Sequence, residues 1–310
     1  MFELSSTRHN PMIDPVLHAW EWEIPVYLFL GGMVAGFMII SGYFTLKGHH
    51  KHGDFSSFYL PHISLFFLSA GMFALFLDLE YKVHVWRFYT TFKFTSPMSW
   101  GAWILLFVYP MLLLNTLVSI PKSFRNRISI FDRISDVINR YPALVKNIGA
   151  ANMVVGAVLG MYTGVLLSAL AARPLWNSAM LWILFLTSGL SSAAALVHLI
   201  SPDKTEREVS AKADNGFLIF ELLVIVLFLV GLVTSTRAHK QAADLLLTGP
   251  YAPVFWGFVI LAGIVLPLII QLLAVNHKIR HTPVAPLFVI AGGLLLRFVI
   301  VAAGQASVIP

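Results

Sequence analysis

Residues 216–236 read GFLIFELLVIVLFLVGLVTST. One ionisable group, Glu221, interrupts an otherwise apolar run. A helix needs about 20 apolar residues to cross the hydrocarbon core of a bilayer, and this run supplies them. The stretch predicts a membrane-spanning helix. A charge at that depth costs on the order of several kcal/mol, so Glu221 is a functional candidate from the outset.

Seven further segments read the same way: 24–46, 59–80, 100–120, 143–170, 176–200, 254–275 and 284–304. Pro121, Pro174, Pro202, Pro250 and Pro283 stand at or just beyond proposed ends, where a missing N–H does least harm. Trp20, Trp22, Trp86, Trp100, Trp103, Trp176 and Trp256 lie near those ends, as interfacial anchors do. The whole sequence agrees with its parts. Of 310 residues, 58% are hydrophobic and 12% charged, against about 45–50% and about 25% in a soluble domain. So few charges cannot cover a water-facing surface. The expected fold class is an all-α integral membrane protein with eight transmembrane helices, packed as two four-helix bundles.

The domain reading is a 1–23 N-terminal periplasmic segment followed by a 24–310 eight-helix domain, with 121–142 as a basic cytoplasmic loop able to form an amphipathic surface helix. The first 23 residues carry Glu3, Arg8, Asp14, Glu21 and Glu23 and no apolar signal core, so the first span is expected to be retained. Orientation follows from Lys and Arg. With the N-terminus outside, thirteen fall in inner loops and seven outside, with Arg297 in a span completing the 21. The excess inside puts both termini on the periplasmic face of a bacterial inner membrane.

Other counts restrict the chemistry. Without Cys the protein cannot ligate an iron–sulfur cluster by thiolate, attach a c-type haem or use a thiol nucleophile. The net charge of +6 is what basic cytoplasmic loops produce. No basic patch interleaved with exposed aromatics points to nucleic acid.

Polar residues inside the spans sort into two layers. The outer one holds Asp78 and Glu80 ending the second span, Tyr162 late in the fourth, Arg173 just past it and Gln305 ending the eighth. His18 and Glu21 precede the first span and can fold over this layer. The inner one holds His62, Asn115, Asn152, His198, Glu221 and Gln271, with Arg297 between the layers. The outer layer has the makings of a quinone site: His and Tyr donate to ring oxygens, and Asp or Glu accepts a proton. The inner layer suits a proton path through Glu221, His198 and Arg297, with Arg297 the charge partner of Glu221 if the sixth and eighth spans touch. A buried structural ion pair is the competing reading. Bis-His haem ligation by His62 and His198 is the less favoured use of those two residues. Gly31-Gly32-Met33-Val34-Ala35-Gly36 carries small residues four apart, a signal for close helix packing and not for nucleotide binding.

The sequence resembles the NrfD/PsrC family, the membrane subunits of polysulfide reductase and its relatives. The resemblance lies in the run from Trp22-Glu23-Ile24-Pro25 to Ala35-Gly36, in Asp78-Leu79-Glu80, and in Ser96-Pro97-Met98-Ser99-Trp100-Gly101-Ala102-Trp103. It continues in Tyr162-Thr163-Gly164, Pro174-Leu175-Trp176, Ser188-Gly189-Leu190-Ser191, and Gly292-Gly293 through Arg297 to Gly304-Gln305. What it implies is a quinone-binding membrane subunit with no redox centre of its own. Electrons would pass between menaquinone or ubiquinone and an iron–sulfur (ferredoxin-like, four-cluster) subunit, serving a molybdopterin or multihaem cytochrome catalytic subunit. By motif, His18, Asp78 and Tyr162 match the family's quinone-contacting histidine, acidic residue and tyrosine; Arg173 and Glu221 carry over with them. Asp14 and Pro15 occupy the neighbourhood where family members can have an Asn.

The alternative from a different class is a secondary transporter or proton channel without redox function. It predicts broken helices at matched places in the two halves; Pro267 interrupts the seventh span without a matching break. A structural anchor for a peripheral enzyme is the third reading.

Overall fold

The computed structural model describes residues 20–48, 55–120, 129–170, 172–275 and 283–307. His18 lies outside them. Among the described residues the fold is helical, and eight helices are long and apolar enough to cross a membrane.

The spanning helices are α1 (Glu23–Leu46), α2 (Phe55–Asp78), α4 (Pro97–Val118), α6 (Pro142–Ser168), α7 (Met180–Ile200), α8 (Lys204–Val233), a seventh span starting at Val254, and α11 (Val284–Ala306). Shorter helices connect them: α3 (Arg87–Thr90), α5 (Ser129–Asn139) in the basic loop, and α9 (Arg237–Leu247). The seventh span opens as wide π-helical turns over Val254–Val265 and tightens into α10 (Leu266–Val275). Pro267, which has no N–H to donate, sits where the register changes.

The spans form two groups of four. Helices α1, α2, α4 and α6 pack together, as do α7, α8, the seventh span and α11; α7 and α11 against α1, with α7 against α6, join the groups. Glycine makes the joint possible. A Cβ on Gly32 of α1 would touch the Gly189 backbone of α7, and a Cβ on Gly36 would collide with Ala193. Small residues at this spacing bring two backbones together where lipid provides no hydrophobic drive.

Two expectations need correcting. Trp176 is not an interfacial anchor. Its ring is buried, stacks on Trp20 at a centroid distance of 5.2 Å, and donates Nε1–H to the Ile300 carbonyl at 2.8 Å. Proximity in sequence to a span end does not distinguish an indole facing lipid from one facing another helix. The sixth span is also longer than 216–236. Helix α8 begins at Lys204, capped by Asp203 Oδ2 on the Glu206 N–H at 3.0 Å. The charged residues 204–215 read as loop by hydropathy, yet they begin the helix, because Glu206, Ser210, Asp214 and Asn215 are buried in it.

Candidate functional site

At the end where α1 starts, α2 ends, α4 starts and α6 ends, the first bundle leaves a cavity of about 140 Å³. A cavity of that size admits one six-membered ring. Its walls are mostly apolar, including Trp20, Ile24, Met72, Leu75, Met98 and Leu166. Four polar side chains enter it: Asp78 from α2, Tyr27 from α1, Tyr89 from α3 and Tyr162 from α6. Through Leu79, Phe88 and Met98 it adjoins a wider basin on the same end, lined by His84, Arg87 and Lys93.

Local structure places each group. The Tyr162 hydroxyl rests against the backbone of Gly101, where any Cβ would overlap it. This explains Gly101 in the Ser-Pro-Met-Ser-Trp-Gly segment. Ser99 fixes the approach to α4 by accepting the Lys93 N–H at 3.0 Å and donating to the Thr91 carbonyl at 3.2 Å. Burial pushes the Tyr89 phenol above its usual value, with Tyr109 adding to the effect, so Tyr89 is a proton-bearing donor at neutral pH. The acidic neighbours of Asp78 are Glu23 and Glu21.

Asp78 and Tyr162 therefore come together as the sequence suggests. Glu80 does not join them: α2 ends at Asp78 and Glu80 is exposed beyond it. Glu21 is exposed at the rim and absent from the cavity wall. Arg173 also lies off the wall. Its Nη1 donates to the carbonyls of Gln305 at 2.8 Å and Ser307 at 3.1 Å, tying down the C-terminus of α11. Gln305 has a clearer role than its sequence position indicates. Its side-chain amide accepts the Trp20 N–H at 3.0 Å and donates to the Trp20 carbonyl at 2.9 Å. That pairing pins Trp20, just ahead of α1, at the cavity wall. Sequence reasoning does not single out Tyr27, Tyr89 or Glu23 for this site. Tyr27 lies one turn after Glu23, inside the motif run, which is the signal that could have found it.

The inner polar residues separate into structural and unexplained groups. Asn115 donates to Ser41 at 3.1 Å, and Asn152 donates to Ser41 at 3.0 Å and to the Met38 carbonyl at 2.7 Å, stitching α1, α4 and α6. The His62 ring is exposed on α2 and pairs with its own helix at the Phe58 carbonyl, 2.8 Å away, while His198 is buried on α7. No group of three or more His, Cys, Asp or Glu able to hold a metal occurs among the described residues.

Arg297 and Glu221 do not pair directly. Ser188 stands between them, accepting from Arg297 Nη1 and lying in hydrogen-bond reach of the Glu221 carboxyl. Arg297 also donates to the carbonyls of Gly293 at 3.1 Å and Phe185 at 2.8 Å. Both residues stand in unbroken helices.

Eight helices long and apolar enough to cross a membrane, with a ring-sized cavity in the first bundle lined by three phenols and one carboxyl, define a multi-span membrane protein. The protein belongs to the family described as polysulphide reductase, NrfD, whose profile matches residues 8–309. It is 30% identical over 306 residues to a polysulfide reductase component of Wolinella succinogenes, covering 93% of this sequence and 95% of that one. It is 29% identical over 308 residues to the NrfD homolog of Haemophilus influenzae, at 93% and 95% coverage. A selenate reductase component of Mesobacillus selenatarsenatis is 23% identical over 319 residues, at 91% and 73% coverage.

Proposed function

We propose that this protein is the quinone-reactive membrane subunit of a reductase complex in a bacterial inner membrane. The single observation that carries the reading is the outer cavity, in which one ring-sized apolar space meets three phenols and one carboxyl. Relatives that are components of polysulfide and selenate reductases support the setting.

A quinone or quinol ring supplies two-electron, two-proton chemistry when bound. Tyr162 and Tyr27 donate hydrogen bonds to one ring oxygen, with Tyr89 toward the other; His18, two residues before Trp20 in sequence, adds a donor. Asp78 takes or returns the ring proton, with Glu23 and Glu21 beside it toward the outer water. The apolar walls exclude water from the ring. Menaquinone and ubiquinone both fit this chemistry. Electrons pass to an iron–sulfur subunit and on to a molybdopterin or multihaem catalytic subunit, because a protein without Cys offers no thiolate ligands for a cluster.

The test uses the intact complex with its co-purifying subunits and a lipid-soluble naphthoquinol. Asp78→Asn is expected to lower kcat by about 100-fold, the lower range for a lost general base. Tyr162→Phe is expected to cost about tenfold, one hydrogen bond to a reacting oxygen. Unchanged turnover in both variants would sink the reading.

A further inference from the structure

The joint between the two bundles is tight over only part of its length. Gly32 and Gly36 of α1 meet α7 at Gly189 and Ala193. Nearer the end where α1 stops and α8 starts, each bundle closes on itself. Helix α6 is clasped to α1 through Gly42, Gly149 and Gly156, where an added Cβ would strike the facing helix. Helix α8 is clasped to α7, with Ser191 donating to Asp214 Oδ1 at 2.7 Å. Helices α6 and α8 do not pack on each other. A cleft of about 270 Å³ is left there, nearly twice the volume of the ring cavity. Its walls include Ile39 and Tyr43 of α1, Met153 of α6, Leu190 of α7, and Ala213 and Phe217 of α8. Only Tyr43 and Ser210 bring a polar side chain to the described lining, each a hydroxyl.

The cleft is apolar along its length and cationic at one end. Lys47 follows Tyr43 by one turn of α1, with its Nζ 5.7 Å from the centre of the Tyr43 ring. Lys146 precedes Met153 by two turns of α6 and so lies on the same face. Both lysines are exposed, and Tyr43 beside them is 39% exposed. Along α1 Lys47 is about 12 Å from Ile39, and along α6 Lys146 is about 10 Å from Met153. Ser210 to Phe217 on α8 is also a rise of about 10 Å. One leaflet of hydrocarbon is about 15 Å deep, half of the ~30 Å core. The cleft therefore runs through most of one leaflet, with two ammonium groups at headgroup level. The carboxylates of α8 do not oppose them. Glu206, one turn before Ser210, is buried, and its oxygens accept from the Ser56 N–H at 3.0 Å and the Ser201 hydroxyl at 2.7 Å. Glu208 lies half a turn round the helix from Phe217. A water-soluble ligand gains nothing from such walls, and a quinol ring meets no carboxyl there to take its proton. An acyl chain below an anionic headgroup suits both parts of the site.

We propose that this inter-bundle cleft binds one anionic phospholipid of the cytoplasmic leaflet, the leaflet that the Lys and Arg count assigns to this end. One acyl chain lies between α6 and α8 against Leu190, and the phosphate sits between Lys47 and Lys146 with the Tyr43 hydroxyl beside it. The lipid braces the two bundles where the glycine joint has ended. The site is independent of the quinone cavity.

The intact complex in mild detergent is irradiated with a phosphatidylglycerol that carries a diazirine midway along one acyl chain, and adducts are mapped by peptide mass spectrometry. Labelling is expected to concentrate on residues 39–44 and 209–217, several-fold above the exposed stretch of α4 at Leu106 and Phe107. Unlabelled phosphatidylglycerol is expected to compete about tenfold better than phosphatidylcholine with the same chains, the order expected of two lysines at one phosphate. Lys47→Gln combined with Lys146→Gln is expected to remove that preference. Ala213→Phe, which fills the cleft and leaves both lysines in place, is expected to lower the labelling several-fold. Labelling no denser in the cleft than on α4, equal competition by the two lipids, or an unchanged preference in the double lysine variant overturns the proposal. Displacement by a prenylated naphthoquinone and not by phosphatidylglycerol overturns it as well. Should a variant not assemble, labelling and competition in the native complex decide alone.

Discussion

The two bundles handle polar groups in opposite ways. In the first, Asp78, Tyr27, Tyr89 and Tyr162 enter a ring-sized cavity at the end where α1 starts and α2 ends. In the second, Arg297, Glu221 and Asp214 are enclosed, Arg297 and Glu221 meeting at Ser188 and Asp214 held by Ser191 and Gln271. Polar groups at the edge of a cavity cost little stability, because water or a ligand satisfies them. Polar groups sealed in a bundle cost a great deal unless each finds a partner. Substitution in the first bundle should therefore register in turnover, and substitution in the second should register first in assembly.

The largest effect should come from Arg297→Met. It removes three hydrogen bonds at once and leaves Glu221 facing Ser188 with no positive charge near it. Removing one member of a buried charged group costs about 3–5 kcal/mol. The expected outcome is a lower melting temperature of the detergent-solubilised complex, or its loss from the membrane. A double variant, Arg297→Met with Glu221→Gln, should recover part of that loss. If Arg297→Met melts like the native complex, the two bundles do not differ in how they hold their polar groups.

Asp78→Asn is the reciprocal case. The roughly 100-fold loss of kcat expected for it amounts to about 2.7 kcal/mol of transition-state stabilisation. Its melting temperature should match the native one, since Asp78 is only partly buried and makes no hydrogen bond that holds the bundle. A large drop in melting temperature would assign Asp78 to structure.

Gln305→Ala sits between the two regimes. The amide belongs to α11 of the second bundle but acts on Trp20, a wall of the first bundle's cavity. Releasing Trp20 loosens the ligand's surroundings without touching the reacting oxygens. The expected outcome is a KM for quinol raised about five- to tenfold with kcat within twofold, as for two hydrogen bonds of about 1 kcal/mol each, incompletely lost. Gln305→Glu keeps the acceptor for the Trp20 N–H and should raise KM less. A fall in kcat with KM unchanged would show that Trp20 acts on chemistry and not on binding.

How much of this is legible in the sequence differs between the bundles for a physical reason. The spans announce themselves through unbroken apolar runs, and Asp78 and Tyr162 stand out because they share a depth near span ends. Asp214 and Glu206 do not stand out, since they lie in a stretch whose hydropathy matches a cytoplasmic loop. What makes them buried is Ser191 and Ser201 on α7 and just past it, Gln271 on α10 and Ser56 on α2, residues as far as 150 positions away. Trp176 misleads for the same reason: Trp20, which covers it, is remote in sequence. Local pattern reveals which residues meet lipid. It does not reveal which polar residues meet each other.

Glu80 gives the smallest effect and the sharpest control on depth as a criterion. By sequence it is as good a carboxyl as Asp78, two residues on and in the same motif. By structure the helix has ended, and Glu80 points to water outside the cavity wall. An exposed carboxylate without a buried partner contributes within about 0.5 kcal/mol on substitution. Glu80→Gln is therefore expected to leave kcat, KM and melting temperature within experimental scatter, about a factor of two in the kinetic constants. If Glu80→Gln instead matched Asp78→Asn in kcat, the proton would leave the cavity through Glu80. The carboxyls of Glu23 and Glu21 would then have no place in that exit.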